Sequence, residues 1–186
     1  MSSGCDGTLG SGQPPDDPVP DAAPVDEPDA AAVLIDAPTV IPVPCEGGDR
    51  VSDPVTGNCY IHVNDIVTWD AAVQGCVDLG GHLVTITSDR EQQIVFGLGD
   101  GLGIGLVDVW LGADDRSVEN TFQWINNDDF TVFDNFRINE PNNGEPNSLD
   151  GEDCVIMEVD VGGTWDDRNC DEGIGKVFTY FCEQEP

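Results

Sequence analysis

The chain has 186 residues, of which 37 are Asp or Glu and six are Lys or Arg, for a formal net charge of −31 at pH 7. So few cations exclude nucleic acid as a partner, because phosphate contact needs clustered Lys and Arg, and an anionic membrane surface repels the chain as well. The carboxylates have two readings, divalent-cation binding or plain solubility in a medium whose counterions screen the repulsion, and only clustered carboxylates need the first.

Residues 1–44 hold nine of the 13 prolines and eight acidic residues, with no Lys, Arg or aromatic residue. Such a stretch buries too little apolar surface to offset the entropy of ordering it. It reads as a disordered Pro/Asp-rich tail, with Asp6 to Pro44 a self-repelling spacer reaching up to roughly 120 Å at about 3.1 Å per residue. Ser3-Gly4-Cys5 is similar to the end of a bacterial lipoprotein signal, in which the cysteine carries the lipid. Cys5 is therefore a candidate anchor, with Met1 internal to a longer frame; the alternative is a free cysteine in the tail. No run approaches the roughly 18 apolar residues of a membrane span, so a membrane enters only through a lipid at Cys5.

Residues 45–186 contain every Trp, Phe and Tyr and can bury roughly two thirds of their unfolded surface, which predicts one globular domain. Cys45 and Cys59 flank the turn-rich Asp53-Pro54-Val55-Thr56-Gly57, the pattern of a stapled hairpin. Thr68 can cap a helix through Asp78, with Trp69, Ala72, Val73 and Cys76 on one face and Gly80-Gly81 ending it. His82 to Ile86 predicts a strand, and Ser88-Asp89-Arg90-Glu91 is a capping box opening a second helix through about Phe96. The glycine-rich residues 97–106 fail the last glycine of a dinucleotide fingerprint and read as a flexible connection. Short strands follow at Trp110-Leu111-Gly112, Phe122 to Trp124, Val155 to Val159, Thr164-Trp165 and Val177 to Cys182. The polar loop 126–153, of roughly 30 residues, is long enough to need a function or a ligand to order it.

Seven cysteines stand at positions 5, 45, 59, 76, 154, 170 and 182, with no CxxC pair that would point to a zinc ribbon or a thioredoxin-like site. Six in the globular part suggest three disulfides and an oxidising compartment. His62 and His82 have no nucleophile or acid in triad-like spacing, so no catalytic residue is assigned and the chain reads as a non-enzyme. Trp110, Trp124 and Trp165 read as core, and Glu158 and Asp160, at a strand border, as solvent-facing.

In chain order, Gly57-Asn58-Cys59-Tyr60, the helix with Trp69 and Cys76, Gly81-His82-Leu83-Val84, Trp110-Leu111-Gly112, Glu-Pro-Asn, Gly151-Glu152-Asp153-Cys154, Trp165-Asp166-Asp167 and Phe181-Cys182-Glu183 resemble the C-type lectin-like domain over residues 45–186. The resemblance implies an α+β fold of two small antiparallel sheets flanked by two helices, with a long calcium-binding loop region of the Glu-Pro-Asn type. It implies disulfides pairing Cys45 with Cys59, Cys76 with Cys182 and Cys154 with Cys170. It also implies a Ca²⁺ site of Glu140, Asn142, Glu152, Asp166 and Asp167, hard oxygen ligands of the kind this ion takes. Sugar hydroxyls would complete the shell against Glu140, Asn142, Glu152 and Asp166, in an order that goes with mannose, glucose or N-acetylglucosamine. Asp166 departs from the family's usual Asn: it keeps a metal oxygen and loses an amide donor. Asp115, Glu119 and Asp153, sharing Glu152, match an auxiliary calcium site, against which stands their reading as ordinary solvated loop charges.

Glu-Pro-Asn occurs twice, at Glu140-Pro141-Asn142 and Glu145-Pro146-Asn147. Phe136, four residues before Glu140, takes the place of the family's usual Trp and selects the first copy; the nine residues from Glu145 to Cys154, against 14 from Glu140, favour the second. The first is preferred, because a loop after the turn tolerates insertion. The implied function is calcium-dependent glycan binding by an extracytoplasmic protein, a cell-surface lipoprotein or a secreted one. The alternative is a calcium-stabilised scaffold for protein or another surface, since one fold hosts many functions.

Overall fold

Two capped helices pack against a sheet whose inner strands are buried along nearly their whole length. The structure is a computed structural model; it describes Cys45 and residues 47–104, 107–142, 151–172 and 178–186, all within one compact unit, Pro38–Pro186. The tail with Cys5, and the second tripeptide at Glu145 and Asn147, lie outside the described residues.

Strands β1 (Arg50–Ser52) and β2 (Cys59–Val63) form the expected hairpin, and a disulfide joins Cys45 to Cys59. Asp53 closes its turn by accepting the Val55 N–H at 2.6 Å, and Gly57 takes the left-handed φ of +87° that the turn requires. The same buried carboxylate is gripped by both arms of Arg90, which ties the hairpin to the second helix. Helix α1 (Trp69–Asp78) starts at Thr68, whose hydroxyl accepts the Ala71 N–H, and buries Trp69, Ala72 and Cys76, with Val73 only partly covered. Gly81, just past its end, lies against the Glu183 carbonyl, where an added Cβ would fall at 2.1 Å.

Strand β3 is only His82–Leu83, shorter than expected. Val84 then changes partners, donating to the Phe181 carbonyl and accepting from Gly112, so the chain crosses between two strands instead of following one. Helix α2 runs from Asp89 to Leu102, which corrects the reading of residues 97–106 as a loop. Gly97, Gly99 and Gly101 are inside the helix; Gly99 is buried, and Gly103, at φ +69°, closes the helix by donating to Gly99 and Asp100. Packing outweighs the low helical propensity of these glycines, because a bare Gly99 lets Phe181 and Ile104 come close.

Strand β4 (Asp108–Asp114) is the hub, pairing with β5 (Gln123–Trp124) and β6 (Cys154–Glu158), while β7 (Thr164–Arg168) completes that antiparallel ladder. The other ladder is β1, β2, β3 and β8 (Phe178–Gln184). A parallel seam, Asp108 to Trp110 against Phe178 to Tyr180, joins the two expected sheets into one mixed sheet of order β1-β2-β8-β4-β6-β7. Disulfides Cys76–Cys182 and Cys154–Cys170 complete the expected set of three. The first of these closes 106 residues, for which the chain-entropy account gives about 4 to 5 kcal/mol. Trp110, Trp124 and Trp165 are all core residues, as read from sequence.

Gly81→Ala is expected to lower stability by about 1 to 3 kcal/mol through overpacking against the Glu183 backbone. Gly97→Ala and Gly101→Ala, whose added Cβ would meet nothing within 4 Å, are each expected to raise it by about 0.5 to 1 kcal/mol. Urea denaturation midpoints read both signs.

Candidate functional site

The long loop reaches the sheet at Trp165. Trp165 donates its backbone N–H to Asn135 and accepts from the Arg137 N–H, both at 2.9 Å, and Phe136 bridges to it in parallel. The Trp165 ring meets Phe133 and Phe136 edge-on, both at 5.7 Å, and Trp124 at 5.6 Å. Its indole N–H donates to the Gln92 amide oxygen at 2.9 Å, while the Gln92 amide donates to the Gly163 carbonyl. Phe136 thus fills the place predicted for an aromatic anchor and carries the chain directly into the first tripeptide.

There Glu140 donates its N–H to the Arg137 carbonyl, Asn139 is left-handed at φ +74°, and the Glu140–Pro141 bond is cis. The Asn142 amide donates to one Glu140 carboxylate oxygen, and the Asn142 backbone N–H to Asp167 at 3.0 Å. Carboxylate oxygens of Glu140, Asp166 and Asp167 lie within 4.8 Å of one another, with Asp166 and Asp167 fully buried. Of the residues expected in one calcium shell, these three and Asn142 are brought together. Glu152 joins only through Arg168, which lies 3.8 Å from Glu152 and also donates to Asp166.

Burial drives the Asp166 and Glu152 carboxyls above the ordinary carboxylate range, against the pull of Arg168. One oxygen of Asp166 is buried with no hydrogen-bond partner, as is one of Glu158. Glu158 corrects the sequence reading: it is 7% exposed, not solvent-facing, and accepts from Arg137 at 3.2 Å, whereas Asp160 is exposed as expected. Arg137 also donates to Glu140 and Asp166, each at 3.0 Å. Sequence reasoning overlooked Arg137 and Arg168, although in a chain with six basic residues, one cation three residues before Glu140 and another beside Asp167 are themselves a signal.

Asp115, at the end of β4, is 1% exposed; one oxygen accepts the Asn120 N–H at 2.7 Å and the other has no partner. Burial first, then the charges of Glu119, Asp153 and Asp167, push its pKa up to about 6. Asp115 is therefore no solvated loop charge. The carboxylates of Asp115, Glu119 and Asp153 nonetheless do not close into a second tight group among the described residues.

The sequence profile of the lectin C-type domain matches residues 65–184. The chain is 31% identical over 128 residues to the versican core protein of Bos taurus, covering 69% of this chain and 3% of that protein. It is 33% identical over 132 residues to C-type lectin domain family 17, member A, of Homo sapiens, covering 71% and 31%. The chain thus spans less than a third of either relative. Among solved structures, the C-type carbohydrate-recognition domain of cow CD23, determined in the presence of a GlcNAc2Man3 oligosaccharide, superposes with a TM-score of 0.58 at 26% identity, over 69% of this chain and 88% of that one. The profile match, covering well over half of the chain, and the shared fold establish that the chain belongs to the C-type lectin domain family, whose members are in general non-enzymatic binding proteins.

Proposed function

We propose that the domain is a calcium-dependent carbohydrate-binding module of the Glu-Pro-Asn kind, for mannose-, glucose- or N-acetylglucosamine-type sugars. Extracytoplasmic display, with residues 1–44 as spacer and Cys5 as lipid anchor, belongs to the same proposal. The observation that carries the reading is the partnerless, fully buried oxygen of Asp166 inside a group of three carboxylates. An oxygen left that way lacks a partner of its own, and a hard divalent cation supplies one. Glu140, Asn142, Asp166 and Asp167 would hold the ion, with Glu152 turning in from Arg168. A calcium ion so held supplies open coordination positions to neighbouring sugar hydroxyls. The chain's own part is to present acceptors at Glu140, Glu152 and Asp166 and the donor amide of Asn142.

A second reading, a calcium-stabilised scaffold for protein or another surface, draws on Asp166 itself. An acid there cannot donate to a hydroxyl as an amide would, and two guanidiniums already contact it. In the same proposal Asp115, Glu119 and Asp153 form an auxiliary calcium site with Glu152.

A glycan array run with calcium, with EGTA, and with Glu140→Ala/Asn142→Ala separates the readings. The lectin reading expects binding with calcium only and loss in the double variant; binding that survives EGTA would sink it. Calcium stabilisation with silence on all glycans would favour the scaffold. Calcium at about a hundred times its Kd is expected to add about 2.7 kcal/mol, or about 8 °C in melting temperature.

For Asp115 the folded pKa of about 6 stands above its ordinary 3.8, so the folded chain holds a proton that the unfolded chain releases. The stability this group contributes is complete below about pH 4 and lost as the pH rises through about 6. In metal-stripped buffer Asp115→Asn is therefore expected to raise the melting temperature by roughly 3 to 6 °C at pH 7 and leave it unchanged at pH 4. Scanning calorimetry at the two pH values checks this, and equal shifts at both would refute it.

A further inference from the structure

Arg137 occupies a position that the calcium reading leaves unexplained. One terminal nitrogen of its guanidinium donates to Glu140 and to Asp166, each at 3.0 Å, and the second terminal nitrogen to Glu158 at 3.2 Å. It therefore binds two of the three gathered carboxylates and ties them to a third acid that the metal shell does not use. Glu158 is buried, and its second oxygen has no partner, so its charge depends on Arg137. The arginine side chain is 38% exposed, which leaves it room to move outward without crossing the core. Arg137 draws on Oε1 of Glu140 and Oδ2 of Asp166, two of the carboxylates that a divalent cation would also take, and two cations gathered on the same carboxylates repel each other.

We propose that Arg137 is a built-in cation of this site: in the metal-free protein it holds Glu140 and Asp166 together, and it must release them and retire onto Glu158 when calcium enters. The inference rests on the calcium reading above and deepens it. Arg137 then acts as a positioning residue that sets how much free calcium is needed to load the domain. It also keeps buried acids compensated in calcium-poor surroundings. A guanidinium contact given up on loading subtracts directly from the calcium affinity, so losing the competitor tightens binding.

The test is calcium titration by calorimetry at fixed ionic strength, with the melting temperature of each metal-stripped protein as a second readout. Arg137→Gln is compared with Arg50→Gln, which removes the same charge from β1. The double variant Arg137→Gln/Glu158→Gln keeps the net charge of the parent and leaves no uncompensated Glu158. Both Arg137 variants are expected to bind calcium about tenfold more tightly than the parent, and the single one to melt lower without metal. Calcium affinity in both variants equal to or below that of Arg50→Gln would overturn the proposal, since the arginine would then be a passive staple. Should the single variant fail to fold, the double variant decides by the same criterion. Binding by the variants where the parent binds none would support the proposal in its strongest form. Binding by none of them would overturn it together with the calcium reading. Loss of binding in Glu140→Ala, with the Arg137 variants unchanged, would overturn the arginine inference alone.

Discussion

The fixed point of the structure is Trp165 on β7. Its backbone takes both hydrogen bonds of the incoming loop, its ring carries the aromatic cluster, and its indole is held by Gln92 from α2. The next two residues in sequence are Asp166 and Asp167. Any displacement of the tryptophan would therefore move two buried carboxylates and the Glu140 turn together. The site inherits its order from the core: the polar loop is anchored to one strand by three phenylalanines of its own, Phe130, Phe133 and Phe136, packed on the Trp165 ring. Phe136, smaller than a tryptophan, suffices because Phe130 and Phe133 fill the remaining contact.

Around that point the chain sets negative charge at odds with burial. Asp115, Glu152, Glu158 and Asp166 all have pKa values raised by desolvation. Two of the six basic residues, Arg137 and Arg168, converge on one of these acids. Elsewhere the same chain satisfies a buried acid completely: Asp53 takes two arms of Arg90 and two backbone N–H groups, and its pKa is lowered despite burial. The contrast between Asp53 and Asp166 separates an acid that is finished structure from one still short of a partner.

The helices were legible because their caps are local chemistry: Thr68 and Ser88 do what their side chains do at any helix start. The disulfides were legible through family resemblance, with the three tryptophans marking the core. What escaped depends on contacts between distant residues. Glycines at 97, 99 and 101 argue locally against a helix, and only packing at Gly99 and the cap at Gly103 reverse that. The parallel seam between β4 and β8 joins residues about 70 apart, beyond the reach of any periodicity. Glu158 was misread because a strand-border position does not reveal that an arginine from the long loop lies over it. Phe136 packs on Trp165 and Glu140 lies beside Asp166, while Glu145 and Asn147 lie outside the described residues.

The pairing of β2 with β8 sets Cys59 opposite Gln184, while β7 forms the far edge of the same sheet. The first staple of the domain and its last residues are thus neighbours, and the carboxylate-bearing strand lies several strands away. Mechanical load drawn through both ends would run from Cys45 across its disulfide into β2 and β8, sparing β7. A domain wired in this way can be joined to further chain at both ends while the load passes by its opposite edge.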